Sequence, residues 1–289
     1  MALSDDDIAH LKSWVGRTQT VEDIIATDRV AAMAATLDLE RTPEAGEALP
    51  PGWHWLFFNG AARQGELGPD GHPRRGGFLP PVPLPRRMWA GGRITVSGTL
   101  PIGAPARRES RILSVDAKRG RSGDLVFVTV QHTVHGGRGA ALEEEHDIVY
   151  REAPAPGALA PQPEPAPSGA VWRREIKPDP VLLFRYSALT FNGHRIHYDH
   201  PYVTQVEGYP GLIVHGPLIA TLLLDLLARQ KPHTQLRRFR FRAKSPLFDT
   251  AAFHVNGVPA ADETEVRLWA EGPGAVLAMD AAATIDNGS

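Results

Sequence analysis

Hydrophobic and polar residues follow two different periods along this chain. In LRRFRFRAK, Leu236 to Lys244, Phe239 and Phe241 fall on one side and Arg238, Arg240 and Arg242 on the other. A period of two predicts a strand with one buried face. Similar β-type patterning, rich in β-branched residues, runs through RITVSGTL (93–100), ARRESRILSVDAKRG (106–120), DLVFVTVQHTVHG (124–136) and LEEEHDIVYRE (142–152). It returns in SPLFDTAAFHVNGVPA (245–260), TEVRLWAEG (264–272) and AVLAMDAAATI (275–285). The segment from His215 to Ala228 differs, being apolar on most sides, and predicts a helix enclosed by a sheet. Two further helices are expected in the first half. One begins after Ser4, a suitable N-cap followed by Asp5, Asp6 and Asp7, and the other covers Thr27 to Leu37.

Pro and Gly divide these elements. Residues Pro50 to Gly92 include GHPRRGGFLPPVPLPRRMW and read as a long ordered loop, or a shortened helix with a loop, since such a sequence forms neither a regular helix nor a central strand. Glu152 to Ala170, EAPAPGALAPQPEPAPSGA, reads as an extended, semi-rigid spacer. It separates an N-terminal domain, 1–151, from a C-terminal domain, 171–289. The halves look like one repeat: each has a strand, a Pro–apolar pair (Pro101-Ile102, Pro246-Leu247), a turn and further antiparallel strands. The expected fold class is α+β, two duplicated antiparallel sheets each wrapped on a helix. Only the second half keeps a strong helix before its sheet. The first half is therefore expected to have a degraded helix and no catalytic site.

Composition narrows the function. The net charge is −2 with no cysteine among 289 residues. A general nucleic-acid binder is not indicated, and disulfides, thiolate catalysis and zinc–cysteine sites are excluded. The acidic N-terminus does not read as a signal peptide. The run LIATLLLDLLA contains Asp225 and is too short for a membrane span, so a cytoplasmic protein without membrane attachment is expected.

Candidate chemistry concentrates between Leu189 and Leu218. FNGHRIHYD clusters Asn192, His194, Arg195, His197 and Asp199 within eight residues, and GLIVHGPL leads into the apolar helix. His197 is the candidate acid/base. Asn192 can only orient a water or donate an amide N–H. Asp199 either orients His197 or caps the next element. Gly216, with Pro217 behind it, stands where first-turn N–H groups lack helical partners and can meet a developing oxyanion. His194, Arg195 and His215 are candidate substrate contacts, as are Arg86, Arg87 and Arg240 for anionic groups. His194, His197, Asp199 and His200 have metal-ligand side chains, but their spacing matches no metal site, and none is expected.

YSALTFNGHRIHYD together with GYPGLIVHGPL resembles the MaoC-like hydratases and dehydratases, particularly the type 2 hydroxyacyl-thioester dehydratases and the 3-methylfumaryl-CoA (mesaconyl-CoA) hydratases. DGHPRRGGFLPPVPLPRRMWAGG and EEHDIVYRE extend the resemblance across most of the chain. It implies a double hot-dog fold. It also implies an enzyme adding water to a 2-enoyl-CoA, with His197 as base and Gly216 in the oxyanion hole. CoA would be part of the substrate, no cofactor would be needed, and a homodimer is possible. The family motif Asp-x-Asn-Pro-(Ile/Leu/Val)-His places its Asp on Asn192, its Asn on His194 and its Pro on Arg195. The carboxylate of the family's Asp–His pair is therefore missing, and Asp199 and Glu207 are the alternative sources of one. Itaconyl-CoA hydration, 3-hydroxyacyl-thioester dehydration and a non-catalytic acyl-CoA-binding module are the competing readings.

Overall fold

A computed structural model describes residues 3–120, 123–137, 139–152 and 162–286; residues 153–161 of the Pro/Ala spacer lie outside the described residues. Ten strands form one antiparallel sheet. The N-terminal half contributes β1 (Thr18–Ile24), β2 (Arg86–Val96), β3 (Pro105–Gly120), β4 (Gly123–Gly136) and β5 (Gly139–Arg151). The C-terminal half contributes β6 (Trp172–Ile176), β7 (Gln235–Ala243), β8 (Phe253–Pro259), β9 (Glu265–Gly272) and β10 (Val276–Asp286). The order is β1-β3-β4-β5-β2-β7-β10-β9-β8-β6. Each strand of the first half is mirrored by the strand five places later in the second. This is the double hot-dog arrangement that the resemblance implies, with the two half-sheets fused edge to edge.

The fusion is the β2–β7 pair, in register from Gly91↔Arg242 to Thr95↔Arg238. Here the sequence reading needs correction, because β2 starts at Arg86, inside the segment expected to be a loop, and is a central strand. No proline lies within β2, and the Gly91-Gly92 pair is what the crowded seam requires. A Cβ on Gly91 would lie 2.6 Å from the Phe241 carbonyl oxygen, and one on Gly92 2.8 Å from that of Glu145. A bulge between Trp89 and Gly91 accommodates them.

The segments around the Pro–apolar pairs have equivalent roles, but the pairs themselves are offset by two residues, Pro101 standing where Phe248 does and not where Pro246 does. In the first half Ala48 bridges Pro101, and Leu49 N–H donates to the Leu100 carbonyl at 2.8 Å. In the second, Ile213 bridges Phe248 and Val214 N–H donates to Leu247 at 2.9 Å.

Four α-helices lie among the described residues. Helix α1 (Asp5–Lys12) has the Ser4 cap, closed into a capping box by Asp7. Helix α2 spans Thr27–Thr36, and α3, Pro180–Leu189, starts at an Asp179 cap. Helix α4 runs from Gly216 to Gln230 and is buried continuously from Leu218 to Leu227. Small inward residues on β10, Ala281 and Ala283, make room for it.

Where its counterpart would lie in the first half there is a single 3-10 turn, Trp53–Leu56, followed by loop. The inner face of β5 carries Glu144 and His146 in place of alanines. Glu144 is buried and accepts hydrogen bonds from Trp55 Nε1 (2.9 Å) and His54 Nε2 (3.1 Å). Bulky polar side chains thus fill the space that a helix fills in the other half.

Candidate active site

Helix α3 ends at Thr190, and Phe191 adopts a left-handed φ of 49° that reverses the chain. Asn192 Oδ1 then accepts the His194 N–H at 3.0 Å, closing an Asx turn. One 3-10 turn, Arg195–His197, follows. Asp199 accepts from Tyr202 N–H (3.1 Å) and from Arg195 Nε (2.9 Å), so it caps the next turn instead of orienting His197.

His197 is fixed by a second segment. Ile213 N–H donates to Ile196, and the Ile213 carbonyl lies 2.7 Å from His197 Nδ1. A carbonyl only accepts, so Nδ1 carries the proton and Nε2 presents its lone pair in the neutral ring. His215 stacks on His197 with centroids 3.6 Å apart, and its Nε2 meets Ser187 Oγ at 2.8 Å. His194 approaches His197 edge-on at 5.4 Å. Burial disfavours imidazolium here, lowering His197 to about 4 and His194 to about 2, and holding His215 well below 6.5. All three rings are neutral at pH 7, and His197 can accept a proton.

Gly216 starts α4 directly after His215. Pro217 has no N–H, and no described group accepts that of Gly216. A Cβ at Gly216 would meet only the Trp89 carbonyl oxygen, at 3.8 Å. The glycine is therefore not enforced by helix packing, and open space lies beside a helix N-terminus.

The Gly/Pro loop of the first half completes the site, which sequence reasoning missed. Gly71 (φ 86°) lies so close to Gly193 that a Cβ on it would be 1.9 Å from the Gly193 carbonyl oxygen. Arg195 N–H donates to the Asp70 carbonyl and Arg195 Nη1 to that of Pro69, both at 2.9 Å. Asp70 accepts from the backbone N–H (3.1 Å) and ring Nδ1 (3.2 Å) of His72. The His72 ring in turn packs 4.1 Å from that of His194. The ring and backbone N–H groups of His72 hold the Asp70 carboxyl well below its usual range against the cost of burial.

The structure therefore gathers Asn192, His194, His197, His215 and Gly216. Arg195 is nearby but is engaged by Asp199, Pro69 and the Tyr202 ring, with its guanidinium 4.1 Å over that ring. Arg86 is held by Tyr209 Oη and the Glu207 carbonyl, each at 3.0 Å. Arg87 faces His72 and His194 closely enough to disfavour their cations, and it has no carboxylate partner among the described residues. Arg240 lies exposed on the outer face of β7, opposite Phe239 and Phe241, away from this cluster.

By spacing, Asp70–His72–His194 and His132–Glu144–His146 each bring three ligand-type atoms within 4.8 Å of one another. In both, the carboxylate is already taken by protein N–H donors, as in a hydrogen-bonded network. Among the described residues no helix is long and apolar enough to cross a membrane.

Residues 52–249 match the family model described as hydroxyacyl-thioester dehydratase type 2. The chain belongs to this family of thioester hydratases and dehydratases. Within it, the chain is 50% identical over 273 residues to the mesaconyl-C(4)-CoA hydratase of Chloroflexus aurantiacus, covering 93% of this chain and 95% of the relative. It is 28% identical to the mitochondrial type 2 hydroxyacyl-thioester dehydratase of Schizosaccharomyces pombe, over 70% of this chain and 75% of that one. A MaoC-like dehydratase from Phytophthora capsici superposes with a TM-score of 0.68 at 15% identity, covering 98% of this chain and 99% of the other. A Mycobacterium tuberculosis protein described as a double hot-dog matches with a TM-score of 0.57 at 13% identity, over 94% and 96% of the two chains. Both likenesses bear on the fold alone, and the second is described as a double hot-dog.

Proposed function

We propose that this protein hydrates a 2-enoyl-CoA carrying a second carboxylate, most simply 3-methylfumaryl-CoA (mesaconyl-C4-CoA), to give citramalyl-CoA. The carrying observation is His197, a buried neutral imidazole with its Nδ1 proton committed to Ile213 and its Nε2 free. In the proposed reaction His197 Nε2 takes a proton from water while the water oxygen bonds to C3. The C2=C3 electron pair moves toward the thioester oxygen, which is met by the N–H of Gly216 at the start of α4. Reprotonation at C2 gives the 3-hydroxyacyl thioester. Neutral imidazoles and a helix N-terminus can perform each of these steps, so the mechanism invokes no cofactor.

Arg87 supports a dicarboxylic substrate. It is half-buried, faces the histidine cluster and lacks an anionic partner among the described residues. A cation left in that state is matched to an anion brought by the ligand. Similarity to the mesaconyl-C(4)-CoA hydratase supports the same substrate.

The test offers the purified protein 3-methylfumaryl-, itaconyl- and crotonyl-CoA and follows loss of the conjugated enoyl-thioester absorbance. We expect turnover to be fastest on 3-methylfumaryl-CoA. Saturating rates on crotonyl-CoA alone would refute the dicarboxylate assignment, and no turnover with binding retained would leave a binding module.

A further inference from the structure

Hydration needs a group to return a proton to C2, and the residues of FNGHRIHYD do not provide a free carboxylate for it. Asn192 has no titratable proton, and its oxygen closes the Asx turn. Asp199 is bound to Arg195 and Tyr202. Glu207 accepts from Tyr202 Oη at 3.1 Å and lies 3.6 Å from Arg86. The carboxylate that does lie against this motif comes from the other half of the chain.

We propose that His72, held by Asp70, is the second proton-handling group of the site. His72 is the catalytic residue and Asp70 its positioning residue. This rests on the hydratase reading above. Asp70 can only accept, so His72 Nδ1 donates to it, and proton transfer is left to Nε2. No described protein group hydrogen-bonds that nitrogen. The ring lies 4.1 Å from His194, which lies 5.4 Å from His197, so the two proposed proton-handling imidazoles flank a third.

The contact is built by the chain on both sides. Gly71 and Gly193 meet where neither tolerates a side chain, and Arg195 anchors the loop through the carbonyls of Pro69 and Asp70. The charged and titratable groups around His72 are Asp70 and Arg75 on its own loop, Arg87 on β2, and His194 and His197 on the facing motif.

The step balances as follows. His197 Nε2 takes a proton from water, the O–H bond breaks and O–C3 forms. The π pair moves to the thioester oxygen. As the carbonyl re-forms, C2 bonds the proton released by Nε2–H of the doubly protonated His72 ring, a form that the Asp70 carboxylate favours and that burial and Arg87 oppose. The proton left on His197 returns to His72 through solvent, so the net change is addition of H and OH. In dehydration His72 removes the C2 proton and His197 protonates the departing hydroxyl.

The experiment compares full-length wild type, His197→Gln, His72→Gln and Asp70→Asn on 3-methylfumaryl-CoA, with kcat, KM, Tm and the pH profile of kcat. Wild-type turnover is established first; if it is absent on every enoyl-CoA, the hydratase reading fails and this proposal with it. Given turnover, we expect His72→Gln to lose about 10²–10⁴-fold in kcat with KM changed only a few-fold. Asp70→Asn should lose less and move the alkaline limb of the profile toward lower pH, because removing the anion disfavours the His72 cation. Wild-type kcat in His72→Gln with His197→Gln inactive would overturn the proposal while leaving the hydratase reading intact. So would an Asp70→Asn variant that lowers Tm or raises KM without moving the pH limb, which would mark a purely structural loop. Activity lost on chelation and restored by a divalent metal ion would also overturn it, by making the trio with His194 a metal set.

Discussion

Gly71→Ala isolates the junction between the two halves without altering any titratable group. Gly71 has a φ of 86°, and a new Cβ would lie 1.9 Å from the Gly193 carbonyl oxygen. Carbon–oxygen contact needs a separation well above 3 Å, so the loop and the motif must part by roughly 1 Å or more. A left-handed alanine adds about 1–2 kcal/mol of strain. The chain can relieve both by lifting the loop, which moves Asp70 and His72 away from His194. A displacement of that size near the reacting atoms costs on the order of 10²-fold in rate. The strain lowers Tm by only about 2–8 °C for a chain of this size. The assay is initial-rate hydration of 3-methylfumaryl-CoA beside a thermal melt. Gly77→Ala is the control, since nothing lies within 4 Å of its Cβ position and its φ is not left-handed. A Gly71→Ala enzyme with wild-type kcat/KM and an unshifted Tm would refute the reasoning, because the loop would then not need to touch Gly193.

Three other outcomes follow from the same geometry. His197→Gln should lower kcat by about 10²–10⁴-fold while a saturated CoA ester, measured by calorimetry, binds within a few-fold of wild type. Arg87→Met should weaken kcat/KM for 3-methylfumaryl-CoA by about 10–100-fold, the worth of one charge-assisted hydrogen bond, and leave crotonyl-CoA nearly unaffected. Acid should destabilise the fold before most carboxylates titrate. Burial depresses His197 to about 4 and His132 to about 2, so both stay neutral in the fold while the unfolded chain binds protons below about 6.5. Their stabilisation is fully present above pH 6.5 and is lost as pH falls toward the folded values. Between pH 6.5 and 5 each loses on the order of 2 kcal/mol. Urea midpoints at pH 7.5 and 5 measure this, and equal midpoints would mean that these rings charge without penalty inside the protein.

Alternation along β3, β4, β5, β7, β9 and β10 was legible because each strand buries one face against the core. Strands β1 and β6 were not: both lie at sheet edges, are short and carry mostly exposed residues, so their pattern is weak. Helix α3 was missed because its exposed Val181 and Phe184 blur the period of 3.6. The start of β2 was hidden by glycines that mark a close strand crossing, although their composition resembles a loop. At the site, His197 and Gly216 could be picked out because their segments lie within 30 residues of one another. Asp70 and His72 lie about 120 residues upstream of their partners, and the link runs through a glycine contact and backbone carbonyls, which leave no side-chain pattern. The tight Asp-Gly-His spacing inside a Pro-rich loop was their only local signal. Arg195 looked like a free cation because nothing in its neighbourhood discloses the Pro69 carbonyl that it serves.

The loss of the helix in the first half and the placement of the site are two sides of one arrangement. In the second half α4 fills the curve of its sheet and presents its N-terminus beside Trp89 of β2, across the seam. A matching helix in the first half would bring a second apolar rod into the space now lined by Trp55, Trp89, His132 and His146. Its absence frees the chain from Gln64 to Pro85 to run across to the other half and deliver Asp70 and His72 to FNGHRIHYD. The same stretch leads into β2, whose pairing with β7 fixes where α4 begins relative to that loop. The half without its helix thus contributes both the scaffold strand and, in the mechanism proposed above, a proton-handling pair. On this view the two halves have diverged into complementary parts of one site, and selection on the first half acts through a loop and a seam.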